Sequence, residues 1–244
     1  MPVAPSVPRT AARRSPARWL AAASLAVVVL VGDVGCGSLA RAQQTIGRAD
    51  LVNDLAARLT AAGELTYTAE YQLPGGRVAS ITQAQEPLRT AYAYPGGKLT
   101  VTVEATTECL AGGSTTCTLT APPAPGANAT ARLFTDPGDL GIVPPAVVIG
   151  LLTAAGLDAD AVIEQKDTTI AGEHATCVHV EAVDNAPASA FDACVTTLGV
   201  LGSFSGTVNG SAVDMTMTRY ADTVMLSAFS PPAGATVVDR RTGK

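Results

Sequence analysis

The stretch that most restricts the fold runs from Ala171 to Leu201, AGEHATCVHVEAVDNAPASAFDACVTTLGVL. Two strand-like runs, rich in Val, Thr and Ala, flank a segment of turn formers from Asp184 to Ser189. Cys177 and Cys194 stand symmetrically about that turn. If the runs pair as an antiparallel hairpin, the two cysteines oppose each other within reach of a disulfide. A smaller copy lies upstream, where Cys109 and Cys117 flank Ala111-Gly112-Gly113-Ser114. The pattern predicts an antiparallel sheet stapled twice, in a chain exported to an oxidising compartment.

The rest of the chain fits this expectation. Leu51, Val52, Leu55, Leu59 and Ala62 recur at helical spacing and predict one amphipathic helix from Ile46 to Gly63. The period then drops to two. Leu65, Tyr67, Ala69, Tyr71 and Leu73 alternate with polar residues, Pro74-Gly75-Gly76 turns the chain, and runs follow over Arg77–Gln83 and Leu88–Tyr94. A fourth run alternates Leu99, Val101, Val103 and Ala105 with polar residues, and the Cys109/Cys117 hairpin closes this meander. The Pro- and Ala-rich loop Ala121–Thr130 is read as internal to one domain, since neither half has enough apolar strand to close a sheet alone. Pro144–Ala155 is apolar nearly all round, so as a helix it must be covered by protein or line something apolar. Strands resume over Ala161–Ala171, the stapled hairpin, Val200–Gly206 and Ala212–Tyr220 about Asn209-Gly210. Thr223–Phe229 is expected as the last strand before Pro231-Pro232. The sum is an α+β chain of about ten or eleven strands and two helices.

Residues 1–42 read as an export leader and tether, and 43–244 as the folded domain. Arg9, Arg13, Arg14 and Arg18 precede the apolar run Leu20–Val31, which is too short for a comfortable membrane span. Two processing sites compete. Val34-Gly35-Cys36-Gly37-Ser38 is like a bacterial lipobox, in which Cys36 carries the palmitate-type anchor, although Asp33 stands where an aliphatic residue is expected. Ala40-Arg41-Ala42 fits ordinary signal cleavage, which would secrete the chain. The four cysteines beyond Cys36 form an even set for pairing. Removing the residues before Cys36 takes away four arginines and one aspartate, which moves the net charge from −5 to −8. An acidic chain of this kind argues against nucleic acid as a partner.

Signals for chemistry are sparse. His174, Cys177 and His179 form H-x-x-C-x-H, but on a strand Cys177 and His179 share a face while His174 points away, and a closed zinc site needs four ligands. Gly202-Ser203-Phe204-Ser205-Gly206 carries Phe where a nucleophile elbow carries Ser. Asp158/Asp160 and Glu104/Glu108 read as turn and strand-end carboxylates, and Asp136-Pro137-Gly138-Asp139 as a turn. Asn128-Ala129-Thr130 and Asn209-Gly210-Ser211 match glycosylation sequons by chance. No catalytic residue, metal or cofactor is expected, and a hydrolase has the least support. Met215 and Met217 share a strand face near Met225 and suit either a core or a pocket for flexible apolar ligands.

The order of these elements resembles the LolA-like superfamily, including actinobacterial cell-wall lipoproteins of the LprG and LppX type. The likeness is carried by the lipobox-like Cys36, the single N-terminal helix, the long meander and the apolar central helix. It also includes Thr169-Ile170-Ala171-Gly172, Ala175-Thr176-Cys177-Val178 and Ala193-Cys194 leading to Gly199-Val200-Leu201. The resemblance implies an unclosed half-barrel whose concave apolar face, partly covered by helices, holds acyl chains of a lipid, glycolipid or lipoprotein. It implies attachment to the outer face of the cytoplasmic membrane through Cys36. A sensor or adaptor that contacts a membrane regulatory protein is the alternative. Candidate lining residues are Leu65, Tyr67, Tyr71, Val101, Val103, Val147, Leu151, Phe204, Met215 and Met217, each of which simple core packing explains equally well.

Overall fold

The computed structural model describes residues 35–124 and 140–241, with side chains from Gly47 onward. The leader arginines, the run Leu20–Val31, the sequon at Asn128 and the Asp136–Asp139 turn lie outside the described residues. A helix, α1 (Gly35–Ala61), precedes six strands: β1 (Tyr67–Gln72), β2 (Val78–Gln85), β3 (Leu88–Tyr94), β4 (Gly97–Thr102), β5 (Thr106–Leu110) and β6 (Thr116–Thr120). A second helix, α2 (Pro145–Leu157), leads to β7 (Val162–Ile170), β8 (Glu173–Glu181), β9 (Phe191–Thr196), β10 (Leu201–Val208), β11 (Ser211–Ala221) and β12 (Thr236–Asp239).

All twelve strands join one unclosed sheet in the order β12-β6-β5-β4-β3-β2-β1-β11-β10-β9-β8-β7. Two antiparallel meanders meet where β1 pairs β11, so both halves of the chain share one sheet. Both predicted staples form directly across hairpins: Cys109 opposes Cys117 between β5 and β6, and Cys177 opposes Cys194 between β8 and β9. These bridges mark a chain that matures in an oxidising environment. Among the described residues no helix is long and apolar enough to cross a membrane.

The two helices lie antiparallel on the inner face. α1 buries Val52, Leu55, Ala56 and Leu59, and α2 buries Val148, Leu151, Leu152 and Ala155, each at the i, i+3, i+4, i+7 spacing of one helical face. Pro145 opens α2, where its missing N–H costs nothing. α1 is longer than the apolar pattern predicts. It reaches back to Gly35 across the 42/43 boundary, because Leu39-Ala40-Arg41-Ala42-Gln43-Gln44 are helix formers with no proline among them. Cys36 falls in its first turn, with its side chain outside those described.

The outer face of the first half is covered by the chain's own C-terminal segment. After β11 the backbone crosses behind β1, where the Thr68 hydroxyl donates to Thr223 O at 3.0 Å. It is then held by Lys98 Nζ, which donates to Ser230 O at 2.7 Å, and by the Arg89 guanidinium stacked 4.5 Å over Phe229. Thr82, Ala91 and Thr100, one transverse row on that face, are buried as a result. This overturns the expected strand over Thr223–Phe229, since Leu226–Phe229 is a 3-10 turn anchored by outer-face side chains rather than by a ladder. The last strand among the described residues is instead β12, parallel to β6. Its four residues are exposed, so it has no alternation to read.

Candidate functional site

Along most of its length the inner face is packed solid. Val178, Ala193, Phe204 and Met215 form one transverse row across β8–β11, and all are fully buried. Phe191 stacks on Phe204 with ring centres 6.0 Å apart. Gly206 opposes Phe191 across β9 and β10, and a Cβ there would lie 2.9 Å from the Phe191 Cβ, so the close approach of these two strands favours glycine at this position. Tyr71 donates its hydroxyl to Leu201 O at 2.8 Å, reaching from β1 past β11 to the irregular step of β10 between Leu201 and Ser203. Burial pushes the Tyr71 phenol well above its ordinary pKa and keeps it a neutral donor. The Val143 N–H meets Met215 Sδ at 3.3 Å, which brings the chain entering α2 onto the floor.

At one end the packing opens into a cleft of about 210 Å³, and a smaller one of about 140 Å³ lies at the opposite end of the helix pair beside Arg48, Gly156 and Ile163. The larger cleft's helical wall is the end of α1 (Leu59, Thr60, Ala62, Gly63) and the start of α2 (Pro145, Ala146, Ile149). Its sheet wall is Tyr67, Gln83, Thr90 and Tyr92 of β1–β3, and Gly199-Val200-Leu201 closes it from the β9–β10 turn. Gly199 has φ +81°, and a Cβ there would sit 2.5 Å from the Arg58 carbonyl oxygen, so only glycine lets this turn abut α1. Gln83 fixes the rim. Its amide Nε2 donates to Ala62, Gly63 and Leu65 carbonyls at 2.8–3.0 Å, and Gln85 reinforces Gly63 and Leu65, satisfying the oxygens left over at the helix end. Tyr67 packs against Tyr220 with ring centres 6.1 Å apart, and burial raises its phenol pKa, with Tyr92 and Tyr220 adding to the effect.

The structure places the candidate lining residues in three groups. Tyr67 lines the cleft. Tyr71, Leu151, Phe204, Met215 and Met217 lie in the packed core, with Leu65, Val101 and Val147 half-buried against it. Val103 belongs to neither. It is 62% exposed at a bend, because Thr102 Oγ1 accepts the N–H groups of Glu104 and Ala105 and turns the chain before the expected alternation is complete. Met225 is exposed on the C-terminal segment. Gln83, Thr90, Ala146 and Ile149 were not singled out from sequence. For Gln83 and Thr90 the signal is a loss of apolar character on the inner parity, where Ile81 gives way to Gln83 and Gln85, and Tyr92 to Thr90. Ala146 and Ile149 lie in the uniformly apolar run Pro144–Ala155 and carry no such signal.

The other singled-out groups lie away from the cleft. Ser203 and Ser205 face outward from β10 with Phe204 inward. His179 is on the outer face, 3.0 Å from Asp192 and 3.3 Å from Glu181, and those two hydrogen bonds, Asp192 first, raise its pKa. Asp158 accepts the N–H groups of Asp160 and Asp184, which lowers its pKa and marks it as a turn anchor. Among the described residues no cluster of His, Cys, Asp and Glu has the arrangement of a metal site.

No protein-family model matches the chain, and no curated protein matches it. Solved structures similar to it include two with broad coverage. One is the crystal structure of an uncharacterized conserved protein from Thermus thermophilus, with a TM-score of 0.45 and 10% identity, covering 77% of this chain and 98% of that one. The other is the crystal structure of MucB, with a TM-score of 0.46 and 13% identity, covering 76% of this chain and 64% of that one. Likenesses of this size assign no function.

Proposed function

We propose that this is an exported, non-catalytic binding protein that receives the apolar part of an amphiphile between its helix pair and the tyrosine-bearing end of the sheet. The observation that carries the reading is the unfilled cleft beside Tyr67 and Tyr92, on an inner face that is filled by side chains from β8 to β11. Hydrocarbon from Leu59, Ala146, Ile149 and Leu201 lines it, and each methylene buried there contributes roughly 0.8 kcal/mol. At about 210 Å³ the closed form is smaller than the roughly 300–1,000 Å³ usual for ligand pockets, so it takes the end of one chain. A longer chain enters as the α1–α2 pair lifts from the sheet. In this reading Cys36 carries the lipid that holds the protein at the outer face of the cytoplasmic membrane, with release by cleavage after Ala42 as the alternative. A membrane protein is the natural partner for loading or sensing.

Native mass spectrometry and organic extraction of protein purified from its host should find a bound amphiphile. Ala146→Trp would fill the cleft from its half-exposed helical side. It should weaken binding of a fluorescent long-chain acyl probe by more than about tenfold, a 1.4 kcal/mol effect, with the unfolding midpoint unchanged. A host-purified protein free of amphiphile, together with no probe binding, would remove the proposal.

A further inference from the structure

The helix pair is tied to the sheet differently at its two ends. At the tyrosine-bearing end, Gln83 and Gln85 hold the Ala62, Gly63 and Leu65 carbonyls that follow α1. The chain entering α2 is fixed as well, with Ile142 and Val143 fully buried and the Val143 N–H on Met215 Sδ. The opposite end is held less firmly. There α2 finishes at Leu157, which is 84% exposed, and the cleft of about 140 Å³ separates Ala155–Ala159 and Arg48-Ala49 from Ile163 of β7. The side-chain hydrogen bond that crosses this end comes from Asp158. One of its oxygens accepts the Asp184 N–H of the β8–β9 loop at 2.8 Å, and the other accepts the Asp160 N–H at 2.9 Å.

Resting on the proposed cleft, we infer that the helix pair is a lid hinged at the Gln83 end and latched by Asp158 on Asp184. The ligand's chain enters at the latched end, through the wedge between α1, α2 and β7, and slides under the lifted pair to the tyrosines. The two helices move as one, because a Cβ on Gly156 would already lie 3.0 Å from Val52 Cγ2 of α1. A rigid pair turning about one end opens most at the other. The wedge offers little resistance there, since Ala49, Ala155, Ala159 and Ala161 line it and no large side chain has to unpack between them. A hydrogen bond to an ionised carboxylate is strong enough to close the lid, and an exposed one can be broken and remade. That end is also the one from which α1 runs back to Gly35, so a molecule anchored at Cys36 would open toward its own bilayer.

The test follows a fluorescent long-chain acyl probe by stopped flow, measuring association, dissociation and equilibrium affinity with the full folded chain. The latch closes the free and the loaded forms alike, so Asp158→Ala should raise both rate constants about tenfold and leave Kd unchanged within about twofold. Amide exchange in that variant should quicken over Ala154–Leu157, while the Leu65 amide, bonded to Ala62 O at the hinge, exchanges as before. A purely structural role for Asp158 would not move the two rates together at constant Kd. Ala159→Trp leaves the latch in place and fills the wedge from its exposed side. It should slow entry and exit about tenfold, and it tests the portal without relying on the folding of Asp158→Ala. Unchanged rates in Ala159→Trp, or faster exchange at the hinge than at the latch in Asp158→Ala, would overturn the inference while the bound probe leaves the cleft reading standing. If the probe does not bind the wild-type protein, the cleft reading fails and takes the inference with it.

Discussion

Between β8 and β11 the inner face is filled by Phe191, Phe204, Val178 and Met215. Between β1 and β3 the same face carries Tyr67, Tyr92 and Thr90 and leaves room beside them. The outer faces are reversed in character. Behind the first half runs the C-terminal segment, which buries Thr82, Ala91 and Thr100. Behind the second half, none of the described residues covers the row Glu164–His179–Asp192–Ser205–Asp214 in that way. One half is therefore braced from behind and hollow in front, and the other is filled in front and bare behind. A cleft wall that cannot gain stability from inward packing gains it from the segment crossing its back.

The sharpest way to break this comparison is to empty the filled half. Phe204→Ala should cost about 3–5 kcal/mol, because the buried ring leaves a cavity between Phe191 and Met215. Thr90→Ala, on the cleft wall, should cost less than about 1 kcal/mol, since the space it vacates is already open to water. Denaturant titration with both disulfides oxidised measures the two values. Equal losses would mean that the halves are packed alike.

Next in size are the disulfides, both of which lie on the outer face. Cys109 and Cys117 share a transverse row with Lys98, which binds the crossing segment, and both are buried. Cys177 is half-buried on the uncovered side. A mild thiol under native conditions should therefore open Cys177–Cys194 first. Peptide mapping after alkylation reads the order. Loss of that bridge should lower stability by about 3 kcal/mol on the chain-entropy account for a loop of this length.

Much of this scaffold was legible in the sequence because it is written in local signals. The cysteines flank their turns symmetrically, and Asn209-Gly210 adopts the paired positive φ values, 51° and 84°, that its hairpin demands. The apolar repeat of α1 and the uninterrupted apolar run of α2 announce covered helices. The cleft was less legible, because alternation tells which residues share a face but not how far a helix extends over it. Tyr67 and Tyr71 have the same parity on the same strand, yet one lines open space and the other is locked to Leu201. Val103 was misplaced for a different reason: a side-chain oxygen, Thr102 Oγ1, competes for the backbone and ends the strand early.

Tyr71→Phe sharpens the comparison at the seam between the halves. It keeps the ring and leaves the Leu201 carbonyl without that donor, at a cost of about 1–3 kcal/mol in denaturant titration. If the phenol is a strut between β1 and β10, the variant should also loosen the cleft's Leu201 wall. Faster amide exchange at Val200 and Leu201 than at Val178 reads that effect.

The smallest effect belongs to the bare outer face. His179 hydrogen-bonds Asp192 and Glu181, and its pKa in the folded chain is raised above that of a free imidazole, about 6.5. A group raised on folding contributes its stability in full below the unfolded pKa and loses it as pH climbs through the folded value. The wild-type advantage over Asp192→Asn should therefore be present at acidic pH, fade across neutrality and shrink with added salt, since these side chains are exposed and screened. Comparing thermal midpoints of the two proteins over that range isolates the contribution of the Asp192 bond to His179. An advantage that instead grows with pH would show that Asp192 serves this face through some contact other than its bond to His179.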